Sequence, residues 1–592
     1  MKRVMSSRGR AGRRSRWLAS VALGSCVQAQ AVPFDATVSG RFTFGSVRRL
    51  ESADPNLLTA INAPLVSLTG FAGGSNADDA NLNFRRHEAV STVLKGTIDV
   101  AAHQGDTSAL LRIKAWRDLA LENHNRPWGN AANGYAADTP LGDGGAARLS
   151  QFTGVALMDA YVQHAVTLGG VRVTGRIGQQ VLAWGERSGA PGGLEALNAR
   201  DFPALRRPGA VPQETRVPAP MLFARLDLHP ALAVEGFISA RFRPSALDMC
   251  GTFWAVSDYL ATGCDLVMGG LPQLSDRARL RTGAVLKRLP TPAVHDHDAG
   301  VGLVWKAWGA DMGLYHARTT WRTPTPTLRR STRAGPAVIP GDPDGKNIAF
   351  FTEYPENIAL TALTFAHKGA NRTVFGELSY RPRAPFMLSP GDALPPFLSA
   401  TAPALLRESA NAVAPGGVFH GYDFHAVAQA QFGVQQDGQL GGVPVSGTLE
   451  VMGKHAIKLP DPTVRRYGRA DLFGVGPVFG NCTVTTATPA LQCTQRGYVS
   501  PDAWGYRLRA EARWLALAPG LAATLSAAYV HDVKGWSGDF VLNQGRKSLN
   551  LGLRLEYRQR YLFEVAWLPV WGGDYNPLSD RDTASLALGV KF

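Results

Sequence analysis

An all-β fold is predicted by this sequence: a transmembrane antiparallel β-barrel of about 18 strands, with short periplasmic turns, long extracellular loops and 16 strands as the alternative count. Three observations predict it. First, the chain ends on T-A-S-L-A-L-G-V-K-F, where Ala584, Leu586, Leu588 and Val590 alternate with Ser585, Ala587, Gly589 and Lys591 before Phe592. One apolar row and one small or polar row make a strand between two solvents, and Phe592 at its end looks like the closing residue of a bacterial outer-membrane barrel. Second, nothing after residue 31 approaches the roughly 18 consecutive apolar residues that a membrane-spanning helix needs. A mature chain that enters a membrane therefore does so as a barrel. Third, two-faced segments recur along the whole chain, joined alternately by short turns and long loops.

Residues 1–16 carry seven positive charges and no acidic residue, an apolar run follows over 17–27, and Ala29-Gln30-Ala31 supplies an A-x-A cleavage pattern. This reads as a secretory signal over 1–31, leaving 32–592 as a single outer-membrane barrel domain. Removing it reduces the formal net charge of +15 to about +8, so much of the basicity belongs to export, and nucleic acid is not an expected partner. Leu23-Gly24-Ser25-Cys26 offers the alternative of a lipoprotein acylated at Cys26.

The first strand is expected over 36–49, where Val38, Phe42 and Phe44 oppose Ser39, Arg41 and Thr43. Segments 88–103 and 107–121 form a hairpin, with Ala109, Leu111, Ile113 and Ala115 on one face and Arg112, Lys114, Trp116 and Asp118 on the other. The hairpin over 155–184 turns on Gly169-Gly170, which sets Leu168 opposite Val171. Counting outward pairs Thr167 with Arg172, Gln163 with Arg176 and Asp159 with Gln180, and on the other face Val166 with Val173 and Val162 with Ile177. A slip of one residue would destroy that match. Further pairs are expected at 220–228 with 232–243, 297–306 with 311–318, 357–367 with 372–380, 420–435 with 441–452, 503–517 with 521–533, and 548–557 with 561–568. Long loops are expected over 50–88, 122–154, 185–219, 244–296, 320–356, 381–419 and 453–502, and segment 56–72 is apolar enough to fold inward.

Outside the signal, four cysteines fall as two local pairs, Cys250 with Cys264 and Cys482 with Cys493, each in a turn-rich long loop. Two disulfide-closed extracellular loops are expected. Zinc is disfavoured because neither spacing has the short C-x2-C grip.

Several stretches then resemble the proteobacterial outer-membrane proteins of domain of unknown function 1302. They include Leu157-Met158-Asp159-Ala160-Tyr161, the run from Arg176 through Gln179 and Trp184 to Glu186, Gly192-Gly193-Leu194-Glu195-Ala196-Leu197-Asn198, Cys250-Gly251-Thr252-Phe253 and Glu353-Tyr354-Pro355-Glu356. The most specific is Gly376-Glu377-Leu378-Ser379-Tyr380-Arg381-Pro382-Arg383-Ala384-Pro385. Gln179 stands where the family usually has Arg, and Asn198-Ala199-Arg200-Asp201 replaces its N-P-x-D. The resemblance implies an outer-membrane barrel of a Gram-negative cell, often encoded beside a periplasmic partner family and an efflux-type inner-membrane transporter.

No G-x-S-x-G, H-E-x-x-H or Walker loop is present, so no catalytic, cofactor or metal residue is assigned. His295-Asp296-His297-Asp298 brings two histidines to one face without a third ligand in sequence, and Asp342-Pro343-Asp344-Gly345 lacks the closing Glu of a calcium loop. Alternation instead assigns a lumen wall of Arg112, Lys114, Gln163, Arg172, Arg176, Arg241, Arg243, Arg507, Arg509, Glu511, Arg513, Arg554, Glu556 and Arg558. Trp184, Trp514, Trp567 and Tyr557 fit interface girdles. A cation-rich wall suits a conduit for a small anionic or amphiphilic compound, within an export or uptake system, and its other partners are outer-membrane lipid and the barrel-assembly machinery. The same wall merely satisfies a wet interior in two other readings: a surface-binding barrel with disulfide-tied loops, and an outer-membrane hydrolase.

Overall fold

The computed structural model describes residues 34–185 and 189–592. The expected signal, Cys26 and the cleavage site lie outside those residues. Eighteen antiparallel strands form the wall. In chain order they are β1 (Asp35–Arg49), β2 (Ala89–Gln104), β3 (Thr107–Asp118), β4 (Thr153–Leu168), β5 (Val171–Gln180), β6 (Ala219–His229), β7 (Leu232–Ser239), β8 (Ala299–Ala307) and β9 (Ala310–Thr319). They continue as β10 (Ile358–Lys368), β11 (Arg372–Met387), β12 (Tyr422–Leu440), β13 (Val443–Ile457), β14 (Asp502–Ala518), β15 (Leu521–Lys534), β16 (Lys547–Tyr557), β17 (Tyr561–Leu568) and β18 (Thr583–Lys591). Every strand pairs with its sequence neighbours, and β1 pairs with β18 from Arg41 opposite Lys591 to Arg49 opposite Thr583, so the sheet has no free edge. Phe592 fastens the seam: its backbone exchanges hydrogen bonds of 3.0 and 3.1 Å with Gly40, and its ring stacks on Phe42 at 5.5 Å.

Period-two alternation gives this wall its two faces. Each strand exposes at least one large apolar side chain outward, among them Phe42, Ile113, Ile177, Leu314, Leu378, Leu449, Leu508 and Leu588. In water such a belt would be unsatisfied; against lipid it is the required surface. The β4–β5 hairpin has the expected register from Leu168 opposite Val171 through Gln163 opposite Arg176 to Ala160 opposite Gln179.

Strand ends differ from expectation where capping or proline intervenes. β3 stops at Asp118, not residue 121, because the Asp118 carboxylate accepts from Ala120 N and Leu121 N and starts a helical turn. β7 stops at Ser239, four residues short. β11 runs seven residues beyond the expected end at Tyr380, because the ladder skips Pro382, which has no N–H to give, and resumes with Ala384 opposite His425.

Eight connections of two or three residues lie at one end of the barrel, and nine of 12 residues or more lie at the other, including 535–546 and 569–582, which the sequence reading left out. The long connections pack on one another as a cap with its own buried clusters, one around Phe350, Phe386, Phe397 and Tyr467 and another around Phe84, Phe152, Phe253 and Met249. Segment 56–72 belongs to this cap, where Leu58, Ala63 and Val66 pack with Trp128 and Met268. Both cysteine pairs are disulfides of the cap, with Cα separations of 6.0 Å for Cys250–Cys264 and 5.6 Å for Cys482–Cys493.

The outward face carries a direct test. Leu508→Lys, in the middle of β14, is expected to cost about 2 to 4 kcal/mol of folding stability if that face meets the bilayer interior. Urea unfolding in lipid vesicles measures it; a loss below about 1 kcal/mol would place Leu508 outside the apolar belt.

Candidate solute path

Beyond β5 the chain does not stay in the cap. Gln180 and Trp184 are buried, and the segment over 189–217 crosses the barrel interior from one wall to the opposite one. Gly192 and Gly193, with φ of 101° and 56°, make its sharpest bend against the wall. A Cβ on Gly192 would meet Gln429, and one on Gly193 would overlap the Glu377 carboxylate, so a side chain at either position would displace a wall group and sit at an unfavourable φ.

The first half of the crossing is held by wall carboxylates and guanidinium groups. Leu194 N donates to Glu377 Oε1 at 2.9 Å, and Gly189 N donates to Glu450 Oε1 at 3.0 Å. Arg381 donates to Gly193 O at 2.8 Å, Arg507 to Gly189 O at 3.1 Å, and Arg509 approaches the same carbonyl at 3.5 Å. Just before the crossing, Trp184 donates to Glu235 Oε2 at 2.7 Å and packs on Phe237 and Tyr315. In the second half the polarity reverses, and wall lysines meet segment carboxylates. Lys95 bonds Glu214 at 2.5 Å and Gly209 O at 3.0 Å, and Lys114 bonds Asp201 and, at 3.0 Å, Glu214 O. Arg207 lies over the Trp116 ring at 4.7 Å. The segment is thus tied to β11, β13 and β14 on one side and to β2 and β3 on the other.

Toward the short-turn end lies a cavity of about 780 Å³ with mixed polarity, lined by Arg172, Arg225, Asp227, Lys306, Tyr315 and Glu377 among others. A second cavity, about 440 Å³ and largely apolar, lies in the cap between Ile61, Tyr259, Val267, Leu328, Phe350 and Leu394.

The wall residues assigned from alternation fall into distinct groups. Arg112 pairs with Asp99 at 2.6 Å and Asp159 at 3.0 Å, and Lys114 is neutralised by Asp201. Arg172 pairs with Asp106 at 3.0 Å in an exposed contact at the short-turn end. Arg176, opposite Gln163, lies against Tyr161 and Phe223. Glu511 pairs with Arg513, Arg554 with Glu564 at 2.9 Å, and Glu556 with Lys591 at 2.8 Å. Of this set, Lys114, Arg507 and Arg509 reach the crossing segment among the described residues.

Four assignments require correction. Arg241 and Arg243 lie beyond the end of β7 in a cap loop, where Arg243 approaches Gln179 at 3.5 Å, and Arg558 sits in the turn between β16 and β17 with φ of 50°. Alternation was extended past the last ladder pair in each case. Trp184 is not an interface residue: it is 3% exposed and faces inward. Of the His295–Asp298 stretch, Asp298 is buried against Arg322 at 2.6 Å while both histidines are exposed. Glu377, Glu450, Lys95, Asp201 and Glu214 carry the crossing; the sequence names Glu377 and Asp201 only within family stretches and assigns none of the five a role. An acidic residue on the inner face of an uncharged strand stretch, as Glu377 is in G-E-L-S, was the available signal.

A family model described as protein of unknown function (DUF1302) matches residues 13–592. No curated protein matches the chain. Among solved structures it is similar to OccAB1 of Acinetobacter baumannii, with TM-score 0.42 and 10% identity over 95% of this chain and 98% of that one. It is also similar to OccD3 (OpdP) of Pseudomonas aeruginosa, with TM-score 0.38 and 8% identity over 95% and 92% of the two chains. A third is OpdK of Pseudomonas aeruginosa with vanillate, at 0.38 and 9% over 94% and 98%.

Lys114→Met leaves Asp201 buried without its partner, a loss of about 3 to 5 kcal/mol from the anchoring of the segment. Limited proteolysis is expected to cut within 189–217 while the barrel keeps its heat-modifiable migration on gels. The double variant Lys114→Met/Asp201→Leu should regain most of the protection; equal cutting of both variants would contradict the pairing.

Proposed function

The chain belongs to the protein family of unknown function DUF1302, and we propose that its barrel is an outer-membrane conduit for a small amphiphilic anion, with the segment over 189–217 as the constriction. One observation carries this reading. Where the segment meets β11 and β14, Arg381, Arg507 and Arg509 donate to backbone carbonyls and make no ion pair with a carboxylate among the described residues. The cations of the opposite wall, Lys95, Lys114 and Arg112, are each neutralised. Guanidinium groups that bond carbonyls in a low-dielectric wall, even with the Glu377 and Glu450 carboxylates nearby, favour anions at its narrowest point. The apolar cap cavity adds a place for the hydrophobic part of such a compound.

In this reading the short turns face the periplasm and the capped end faces outward, residues 1–31 direct export, and the barrel-assembly machinery inserts the chain. A periplasmic partner and an efflux-type inner-membrane transporter would place the conduit in an export or uptake route. Movement through it involves no covalent step, so the proposal assigns no enzyme activity.

Arg507→Glu/Arg509→Glu changes the charge beside Gly189 by about four units, in a space where screening is poor. Reversal potentials across planar bilayers under a salt gradient should move toward cation preference. Unchanged selectivity in an open, correctly assembled channel would remove these arginines from the path.

A further inference from the structure

Two cap loops, over 50–88 and 240–298, meet at a group of acids that the solute path does not use. Asp78, Asp79 and Asp258 are all buried, and each offers a carboxylate oxygen within 4.8 Å of the others. The Cys250–Cys264 disulfide closes the loop that carries Asp258, and Asp258 N donates to Asn76 O at 2.9 Å, bringing the two loops together.

The oxygens are unequally satisfied. Asp78 accepts from Thr59 N at 3.1 Å, Thr59 Oγ1 at 2.9 Å and Asn62 Nδ2 at 3.2 Å. Asp79 Oδ1 accepts from Trp128 Nε1 at 2.6 Å, and Asp258 Oδ2 from Asp79 N at 3.4 Å. Of the remaining two, Asp258 Oδ1 is buried with no hydrogen-bond partner, and Asp79 Oδ2 is buried with none beyond the Tyr135 hydroxyl that lies beside the Asp79 carboxylate. Nearby cations are engaged elsewhere: Arg279 with Asp276 and Ser75, Arg49 and Arg581 with Asp580, and Arg277 with the carbonyls of Pro127, Trp128 and Tyr135. Burial, reinforced by repulsion from neighbouring Asp276 and among the three acids, pushes the Asp78, Asp79 and Asp258 carboxyls well above the usual carboxylate range. Such a group takes up either protons or a cation.

We propose that Asp78, Asp79 and Asp258 bind a calcium ion that clamps the two cap loops together. Donors that are all oxygen, drawn from separate loops and completed by carbonyls or water, suit a hard cation of flexible coordination at about 2.3 to 2.6 Å. Sequence spacing gives no hint of the site, because Asp79 and Asp258 are 179 residues apart. The clamp also bears on the apolar cap cavity: Asn62, which bonds both Asp78 and Asp276, lines that cavity together with Ser75 and Arg279.

Trp128 and Tyr135 beside Asp79 make terbium a direct probe, since an aromatic ring in contact with the site sensitises its emission. The full-length protein in detergent, freed of metal with a chelator, is expected to give sensitised terbium emission that calcium displaces, and calcium alone should raise its unfolding temperature. Asp79→Asn/Asp258→Asn should abolish both effects. Trp128→Phe should dim the emission yet keep the calcium shift. Heat-modifiable migration checks that each variant is folded, and the single change Asp258→Asn serves if the double variant fails that check. Absence of both emission and calcium shift in the unmodified protein would mean that the acids hold protons only. Emission undiminished in the Asp variants would place the ion elsewhere. Either result overturns the proposal.

Discussion

Backbone hydrogen bonding in a solvent that offers no partners is the constraint on which the rest of this structure depends. In lipid every N–H and C=O must be paired within the protein, and a sheet meets that demand only by closing on itself. The seam between β1 and β18 is therefore the least replaceable contact of the fold, and Phe592 completes it with both backbone and ring. Closure also fixes the side-chain faces. Once Leu586 and Leu588 point outward, Ser585, Ala587 and Gly589 must point inward, and the same division propagates around the wall.

With the wall closed, the interior becomes the place where sequence variety is tolerated. Charges facing water-filled space need only be hydrated, but those covered by the crossing segment need partners. Lys95 with Glu214 and Lys114 with Asp201 meet that need on one side, and Glu377 and Glu450 accept main-chain N–H groups on the other. Buried pairs of this kind add little net stability over apolar replacements, but removing one member is costly. Their effect is to fix where the segment lies. That position leaves Arg381, Arg507 and Arg509 facing carbonyl oxygens of the segment.

Much of the wall was legible in the sequence because its rules are local. A two-residue turn at Gly169-Gly170 fixes one register, and alternation then places every residue of β4 and β5 near that turn. The disulfides were legible because each pair is close in sequence and lies in one loop. Legibility failed at strand ends, where Arg243 lies four residues and Arg558 one residue beyond the strand that alternation assigns it to. It failed again for Trp184: near a strand end a tryptophan reads as an interface residue unless its acceptor is known, and that acceptor, Glu235, lies 51 residues away. The crossing itself was least accessible, since Leu194 and Glu377 are separated by 183 residues and neither carries a motif for the contact. The repeated glycines at 192 and 193 recorded the sharp bend without saying what it bends around.

The central claim is that the segment over 189–217, rather than the cap, sets the narrowest point of the interior. Single-channel conductance of a variant in which residues 189–197 are replaced by a short Gly-Ser link, with the cap and both disulfides left intact, tests it most directly. A severalfold rise in conductance over the unmodified protein is the predicted result. Conductance equal to that of the unmodified protein, from barrels that are assembled and disulfide-bonded, would contradict the account and assign the restriction to the cap.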